Sequence, residues 1–292
     1  MMNYKKMIKT IREVVGFFIT YVAYWFQKRK NNVLSFYFHD PEVSLFEGMV
    51  KWLSEKGYRF IDMDELIKVM ESSEKPTEKL AFISFDDGWA SNLDLLPVCE
   101  KYKVPIMVFV ATGPIKSVAF WWEYVIKTYG YHWNLLQEFK AKDSETFNRD
   151  INELKRTHDV PRSALTIDQL VQMSKHPYVS IQSHTVSHPI ITKLPDEILL
   201  KELVDSKKEL EEITGKTVDI FSYPNGTFGQ REKDAVKAAG YKYSFSTEQR
   251  FVKIGNEDNL SIPRMALNMT GGVYENMARV FGGWQKIFPI KI

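Results

Sequence analysis

Between residues 32 and 267 the chain alternates two hydrophobic rhythms. One is a short, nearly unbroken apolar run: NVLSFYFHD (32–40), KLAFISF (about 80–86), PIMVFVATG (105–113), YVSIQSH (178–184), VDIFSYP (218–224), YKYSFST (241–247) and SIPRMAL (261–267). Runs of this length, rich in β-branched and aromatic residues, predict buried strands. The other rhythm places apolar residues three and four apart. In SLFEGMVKWLSEKG (44–57), Leu45, Phe46, Met49, Val50 and Leu53 share one helical face and Gly57 ends it. NLDLLPVCEKYKV (92–104) reads as a helix interrupted by Pro97. DEILLKELVDSKKELEEITGK (196–216) reads as a long helix that opens on acids and stops at Gly215, and REKDAVKAAG (231–240) as another. Strands alternating with helices predict a parallel α/β sheet, and about seven such units in one domain predict a barrel rather than an open sheet.

Two segments depart from this rhythm. Residues 117–177 are aromatic and helical with no strand run, and read as an insertion over one end of the sheet. In α/β barrels the segments that follow strands build the site. The N-terminal segment, 1–31, has basic residues, an apolar stretch from Val14 to Phe26, then Lys28, Arg29 and Lys30. That stretch is shorter than the roughly 20 residues a spanning helix needs, and no small-residue cleavage site follows it, so a cleaved secretory signal is not expected. Two readings stay open. The segment lies on or partly in a membrane, with Tyr21, Tyr24, Trp25 and Phe26 at the interface and the lysines on phosphates; or it is a helix packed on its own domain or on a second subunit. The coincidence of aromatic and basic clusters tilts the balance toward the membrane. The chain then divides into this segment and one domain over 32–292, membrane-associated or cytoplasmic.

Charge narrows the partners. With 39 basic and 37 acidic residues the net charge is +2, which gives no footing for nucleic acid. The apolar fraction of 44% suffices for a real core. The single cysteine, Cys99, excludes an internal disulfide framework and a cysteine-rich metal site.

Candidate chemistry sits at three strand ends. Asp86 and Asp87 stand side by side after an apolar run, where two like charges are costly unless a cation offsets them. SHTVSHP places His184 and His188 four apart, a spacing that can share one face of a helical turn and suits a zinc ion. His39 ends the first run. One aspartate and two histidines leave coordination positions open, as a catalytic metal requires.

ISFDDG, SHTVSH and FSYPNG, in this order and near this spacing, resemble the NodB-type polysaccharide deacetylases, carbohydrate esterase family four. LSFYFHD is similar to the opening strand of the branch that acts on poly-N-acetylglucosamine, and the likeness runs over about 33–270. The resemblance implies a distorted (β/α) barrel with one divalent metal ion, zinc before nickel or cobalt. It implies that Asp87, His184 and His188 hold the metal and that Asp86 is the general base toward the attacking water. It implies an oxyanion donor in Tyr223-Pro224-Asn225-Gly226, from a backbone N–H near Tyr223. Many members supply the general acid from a late histidine. No histidine follows His188, so His39 takes that role, as in the branch where the motif sits early. Where many members begin the third motif with an arginine that orients the base, this chain has Ser222; Arg264 either substitutes for it or is structural. Trp121 and Trp122 either stack on sugar or belong to the core of the insertion.

The function implied is removal of N-acetyl groups from an amino sugar in a surface polysaccharide, a glycolipid or a lipid-linked precursor. The alternatives are deformylation of a lipid-linked formamido sugar and, ranked lower, an inactive carbohydrate-binding relative. The expected partners are an N-acetylated saccharide and a membrane surface or lipid-linked glycan.

Overall fold

The computed structural model describes residues 4–27 and 32–288. Eight strands form one parallel sheet: β1 (Leu34–Phe38), β2 (Tyr58–Phe60), β3 (Lys79–Phe85), β4 (Ile106–Val110), β5 (Val179–Ser183), β6 (Ile220–Ser222), β7 (Tyr243–Phe245) and β8 (Met265–Ala266). Their order is β7-β6-β5-β4-β3-β1-β8, and β2 pairs with the start of β3. The two ends of this order are joined by the segment leading into β8. Ile262 donates to the Ser244 carbonyl and accepts from the Ser246 N–H, both at 2.8 Å, while Met265 pairs with Phe36. The sheet therefore curls into the barrel that the alternating pattern predicts, with the distorted (β/α) form that the resemblance implies.

The two-residue period of the strands sorts their side chains. Leu80, Phe82, Ser84 and Asp86 alternate with Ala81, Ile83 and Phe85, which face the helices. The inward positions form layers. Val33, Leu80, Met107, Ile220 and Ile262 belong to one apolar cluster with Phe82, Phe109 and Phe245. Phe82 and Phe245 lie parallel across the barrel at 5.3 Å between ring centroids. Above these rings the inward positions become polar, at Ser84, Ser222 and then Asp86, His39 and His184. The apolar layers close the barrel floor and the site occupies its carboxyl-terminal mouth.

The helices are α1 (Tyr4–Gln27), α2 (Val43–Glu55), α3 (Met63–Glu71), α4 (Leu96–Tyr102), α5 (Thr112–Ser117), α6 (Trp121–Tyr129), α7 (Trp133–Ala141), α8 (Ser144–Thr157), α9 (Ile167–Ser174), α10 (Asp196–Thr214), α11 (Gln230–Ala238), α12 (Val273–Val280) and α13 (Trp284–Ile287). Pro97 does not interrupt a helix: it stands in the first turn of α4, where its missing N–H costs nothing, and the residues before it form a 3-10 turn. The strand β2 and its following helix α3 were not predicted: the exposed Arg59 breaks the apolar run of β2, and Asp62 caps α3 by accepting the Glu65 N–H.

The stretch between β4 and β5 is helical, α5 to α9, and α6, α7 and α8 build a small core of their own from Trp121, Tyr124, Val125, Leu136, Phe139, Ile151 and Leu154. The N-terminal segment is the helix α1, docked along α12. Lys28, Arg29 and Lys30 lie outside the described residues.

Candidate active site

Asp86 and Asp87 leave β3 in different ways. Asp86 continues the inward alternation and gives its N–H to the Phe38 carbonyl of the neighbouring strand. Asp87 turns the chain with φ of 78°, and Gly88 follows at 88° with Val110 packed where a Cβ would stand. Two successive left-handed residues let adjacent carboxylates reach the same pocket, which an extended strand would forbid.

SHTVSH does not form a helical turn. After β5 the chain runs irregularly, with left-handed φ at Thr185 (69°) and His188 (56°). Glu202 of α10 holds this loop from behind: one oxygen accepts the Val186 and Ser187 N–H groups, the other the Ser187 hydroxyl. The loop still brings both imidazoles together, their centroids 4.9 Å apart.

His184 Nδ1 donates to the Ser222 carbonyl at 2.7 Å, which leaves Nε2 as the lone-pair nitrogen. Nε2 of His184 and Nε2 of His188 stand 3.5 and 3.4 Å from Asp87 Oδ1. That oxygen is buried and accepts no hydrogen bond among the described residues, while Oδ2 accepts the Trp89 indole N–H at 3.0 Å. An unsatisfied buried carboxylate oxygen facing two imidazoles is a costly arrangement that a cation would resolve. The three ligand atoms lie within 4.8 Å of one another. One oxygen and two imidazole nitrogens suit zinc, nickel or cobalt with open positions, so the donor set fits the expected metal. Burial drives the His188 pKa down to about 3, which favours the neutral, ligating form. Burial alone would raise the Asp87 pKa, but His184, His39 and His188 outweigh it and hold the carboxyl well below the usual range.

Asp86 is clamped by Arg264. Guanidinium nitrogens meet Oδ1 at 2.7 Å and Oδ2 at 2.9 Å. The same guanidinium donates to Ser84 Oγ, Ser222 Oγ and the Ser246 carbonyl, and it packs 4.4 Å from the centre of the Tyr37 ring. Arg264 is fully buried. Ser222, small enough to leave space, cedes the position to an arginine arriving from the closing segment of the barrel.

His39 ends β1 at the pocket rim. Its carbonyl accepts from Asn92, and its ring nitrogens have no hydrogen-bonding partner among the described residues. Asp40 takes the Ser91 hydroxyl and does not orient the His39 ring. Tyr223, Asn225 and Trp122 all border the same pocket of about 730 Å³. The Tyr223 N–H does not stand free as an oxyanion donor: it is given to the Phe245 carbonyl at 3.2 Å in the β6–β7 ladder. Pro224 has no N–H, and the Gly226 N–H turns back to the Tyr223 carbonyl. Asn225 sits at φ of 56° and accepts from Lys140 through its side chain.

The two tryptophans separate. Trp121 is buried in the insertion core and still borders the pocket, whereas Trp122 packs half-buried on that core, stacks on Phe120 and meets His188 at an interplanar angle of 71° with centroids 5.0 Å apart. Among the pocket residues that carried no signal in the sequence are Trp89, Trp133 and Lys140. Burial lowers the Lys140 pKa against the pull of Asp87. Only the insertion's unusual aromatic content hinted that it forms a wall.

The polysaccharide deacetylase family profile matches residues 73–244, more than half of the chain. The chain belongs to the polysaccharide deacetylase family. Within that family it is 26% identical to Bacillus subtilis YxkH over 204 residues, covering 70% of this chain and 57% of that protein, so it spans little more than half of that relative's length. It is 24% identical to a poly-beta-1,6-N-acetyl-D-glucosamine N-deacetylase of Staphylococcus aureus over 265 residues, covering 88% of this chain and 79% of that one. Among solved structures, the Streptococcus pyogenes deacetylase PplD in complex with acetate superposes with a TM-score of 0.61 at 18% identity, over 86% of this chain and 97% of that one. This likeness establishes the shared fold.

Proposed function

We propose that this deacetylase removes N-acetyl groups from a poly-N-acetylglucosamine-type surface polysaccharide, with one divalent metal ion held by Asp87, His184 and His188. The observation that carries the reading is the pairing of two unlike carboxylates: Asp86, fixed by Arg264, beside Asp87, whose buried Oδ1 faces two imidazoles. The substrate class is supported by the name of the Staphylococcus aureus relative.

When bound, the ion would supply charge that polarises the acetamide carbonyl and acidifies a water. Asp86 takes the proton released as the water oxygen attacks the carbonyl carbon, its orientation locked by Arg264. His39, beside the aspartate pair at the end of the neighbouring strand β1, gives a proton to the nitrogen as the C–N bond breaks, and acetate and a free amine leave. Trp122, half-buried at the mouth, and Trp133, exposed on α7, offer flat faces to sugar rings.

The test is to incubate metal-loaded protein with β-1,6-linked N-acetylglucosamine oligomers, β-1,4-linked oligomers and a formamido sugar, and to quantify acetate and formate. Acetate from the β-1,6 oligomers supports the reading. Formate alone shifts it to deformylation, and no product from fully loaded protein overturns it.

A further inference from the structure

The helix α1 is tied to the barrel by one narrow face. Gly16 is buried there, and a Cβ on it would lie 2.5 Å from the Glu275 nitrogen, so the two helix backbones touch. Thr20 donates to the Tyr274 carbonyl at 2.8 Å. Glu13 accepts the N–H groups of Tyr274 and Glu275 at the start of α12, and Arg12 pairs with Glu275.

The other face is apolar and open. Ile11, Val14, Phe18, Val22 and Phe26 are 53–65% exposed, and Phe17 beside them 39%. At about 100° per residue these positions sweep roughly half of the helix circumference, and no charged residue falls within the arc. An arc this wide exceeds the seam of a two-helix pair, and apolar surface of this extent is rare where water is the only neighbour. Charge points the same way. Residues 1–32 contain seven basic residues and one acidic residue, and the acidic one, Glu13, is spent on α12. Lys6 and Lys9 are exposed at one end of the helix. No helix among the described residues is long and apolar enough to cross a membrane.

We infer that α1 is an interfacial anchor that docks this domain onto an anionic lipid surface and lays the barrel on its side. An apolar arc sunk at the headgroup boundary, with basic residues beside it, is the arrangement an anionic bilayer accepts. The orientation follows from the packing. Glu13 meets the first turn of α12, which follows the loop leaving the mouth of the barrel, while Tyr24 packs on Phe281 and receives the Lys79 ammonium at the start of β3. The helix thus runs antiparallel to the strands, from the rim toward the floor. With α1 flat in the interface, the strands lie along the membrane plane and the pocket opens sideways over the lipid surface. The inference concerns where the enzyme works and does not depend on the reaction proposed above.

The experiment is flotation of the full chain with phosphatidylcholine vesicles, with and without phosphatidylglycerol. Wild type floats with the anionic vesicles. Phe18→Asp combined with Val22→Asp reduces this by at least about tenfold, given the apolar area lost, and Lys6→Glu with Lys9→Glu removes the preference for phosphatidylglycerol. Both double variants keep the wild-type melting point and acetate release from a soluble oligomer. Hydrogen exchange on the unmodified protein gives an independent readout: residues 11–26 gain protection when anionic vesicles are added. Failure of wild type to float overturns the inference. So does unchanged flotation of the Phe18→Asp, Val22→Asp variant, or sedimentation showing a dimer that this variant dissociates while vesicles have no effect.

Discussion

Arg264 holds Asp86 by two hydrogen bonds inside the barrel, the guanidinium fully buried and the carboxylate nearly so. Each charge is tolerable there only because the other is present. Replacing Arg264 by Met should leave Asp86 without its counter-charge at the bottom of the pocket and cost up to about 3–5 kcal/mol. Asp86→Asn should also destabilise, by stranding the guanidinium, yet keep the metal ligands. Urea denaturation of the two single variants and the double variant checks this. The double variant should be more stable than the sum of the singles allows, because it removes both charges together.

Asp86→Asn should retain bound metal and lose turnover by about 10²–10⁴, the usual worth of a general base. Asp87→Asn should lose the metal first, since Oδ1 is the oxygen that faces both imidazoles. Elemental analysis beside acetate release separates the two. Metal loss in Asp86→Asn with retention in Asp87→Asn would reverse the roles.

How much of this was visible in the sequence differs by element. Strands buried on both faces produce apolar runs, so β1, β3, β4 and β5 were readable, and the inward alternation carries Asp86, His39 and His184 to one rim. In β2 the exposed Arg59 stands between Tyr58 and Phe60, so no unbroken apolar run marked it. The spacing of His184 and His188 suggested a helical turn, but the chain reaches the same proximity through two left-handed residues that no periodicity encodes. Arg264 illustrates the harder limit. Its partner is 178 positions away, and only closure of the barrel through Ile262 brings the two together. Trp89, Trp133 and Lys140 reach the pocket by folding of loops and of the insertion, so nothing local marked them.

His39 should act on the leaving group. Its ring has no protein hydrogen-bonding partner among the described residues and borders the pocket. His39→Gln should fold, bind metal normally and lose kcat by about 10²–10⁴ with little change in KM. The loss should shrink for a substrate with a better leaving group, such as an acetyl ester, because less proton donation is needed. An equal loss on ester and amide would remove His39 from the role of acid.

Acid should unfold the metal-free protein through His188. Its folded pKa is depressed from 6.5 to about 3 by burial, so below pH 6.5 the unfolded chain binds a proton that the folded chain refuses. Stability therefore falls as pH drops from 6.5 toward about 3. Asp87, also depressed, adds a loss of the same sign only below its ordinary value of 3.8. From pH 7 to pH 5 the His188 contribution should lower stability by about 2 kcal/mol. Urea titrations of metal-free wild type and His188→Gln at the two pH values read it: the variant should show a flatter dependence. An equal slope in both would mean that His188 is not the group refusing the proton.

Trp121 and Trp122, adjacent in sequence, should separate under mutation. Trp121 packs among Tyr124, Leu136 and Ile151 in the insertion core, so Trp121→Ala should cost about 3–5 kcal/mol and loosen the whole wall. Trp122 stacks on Phe120, packs against His188 and, less buried than Trp121, presents more of its ring to the pocket that both border. Trp122→Ala should leave the melting point within a few degrees and raise KM for oligomers by about tenfold, a loss of roughly 1.4 kcal/mol of binding. Metal content must be measured alongside, because the same ring braces His188. A rise in KM at full occupancy assigns Trp122 to the sugar. A fall in occupancy with KM unchanged assigns it to holding the imidazole, and the sugar face would then belong to Trp133 on α7.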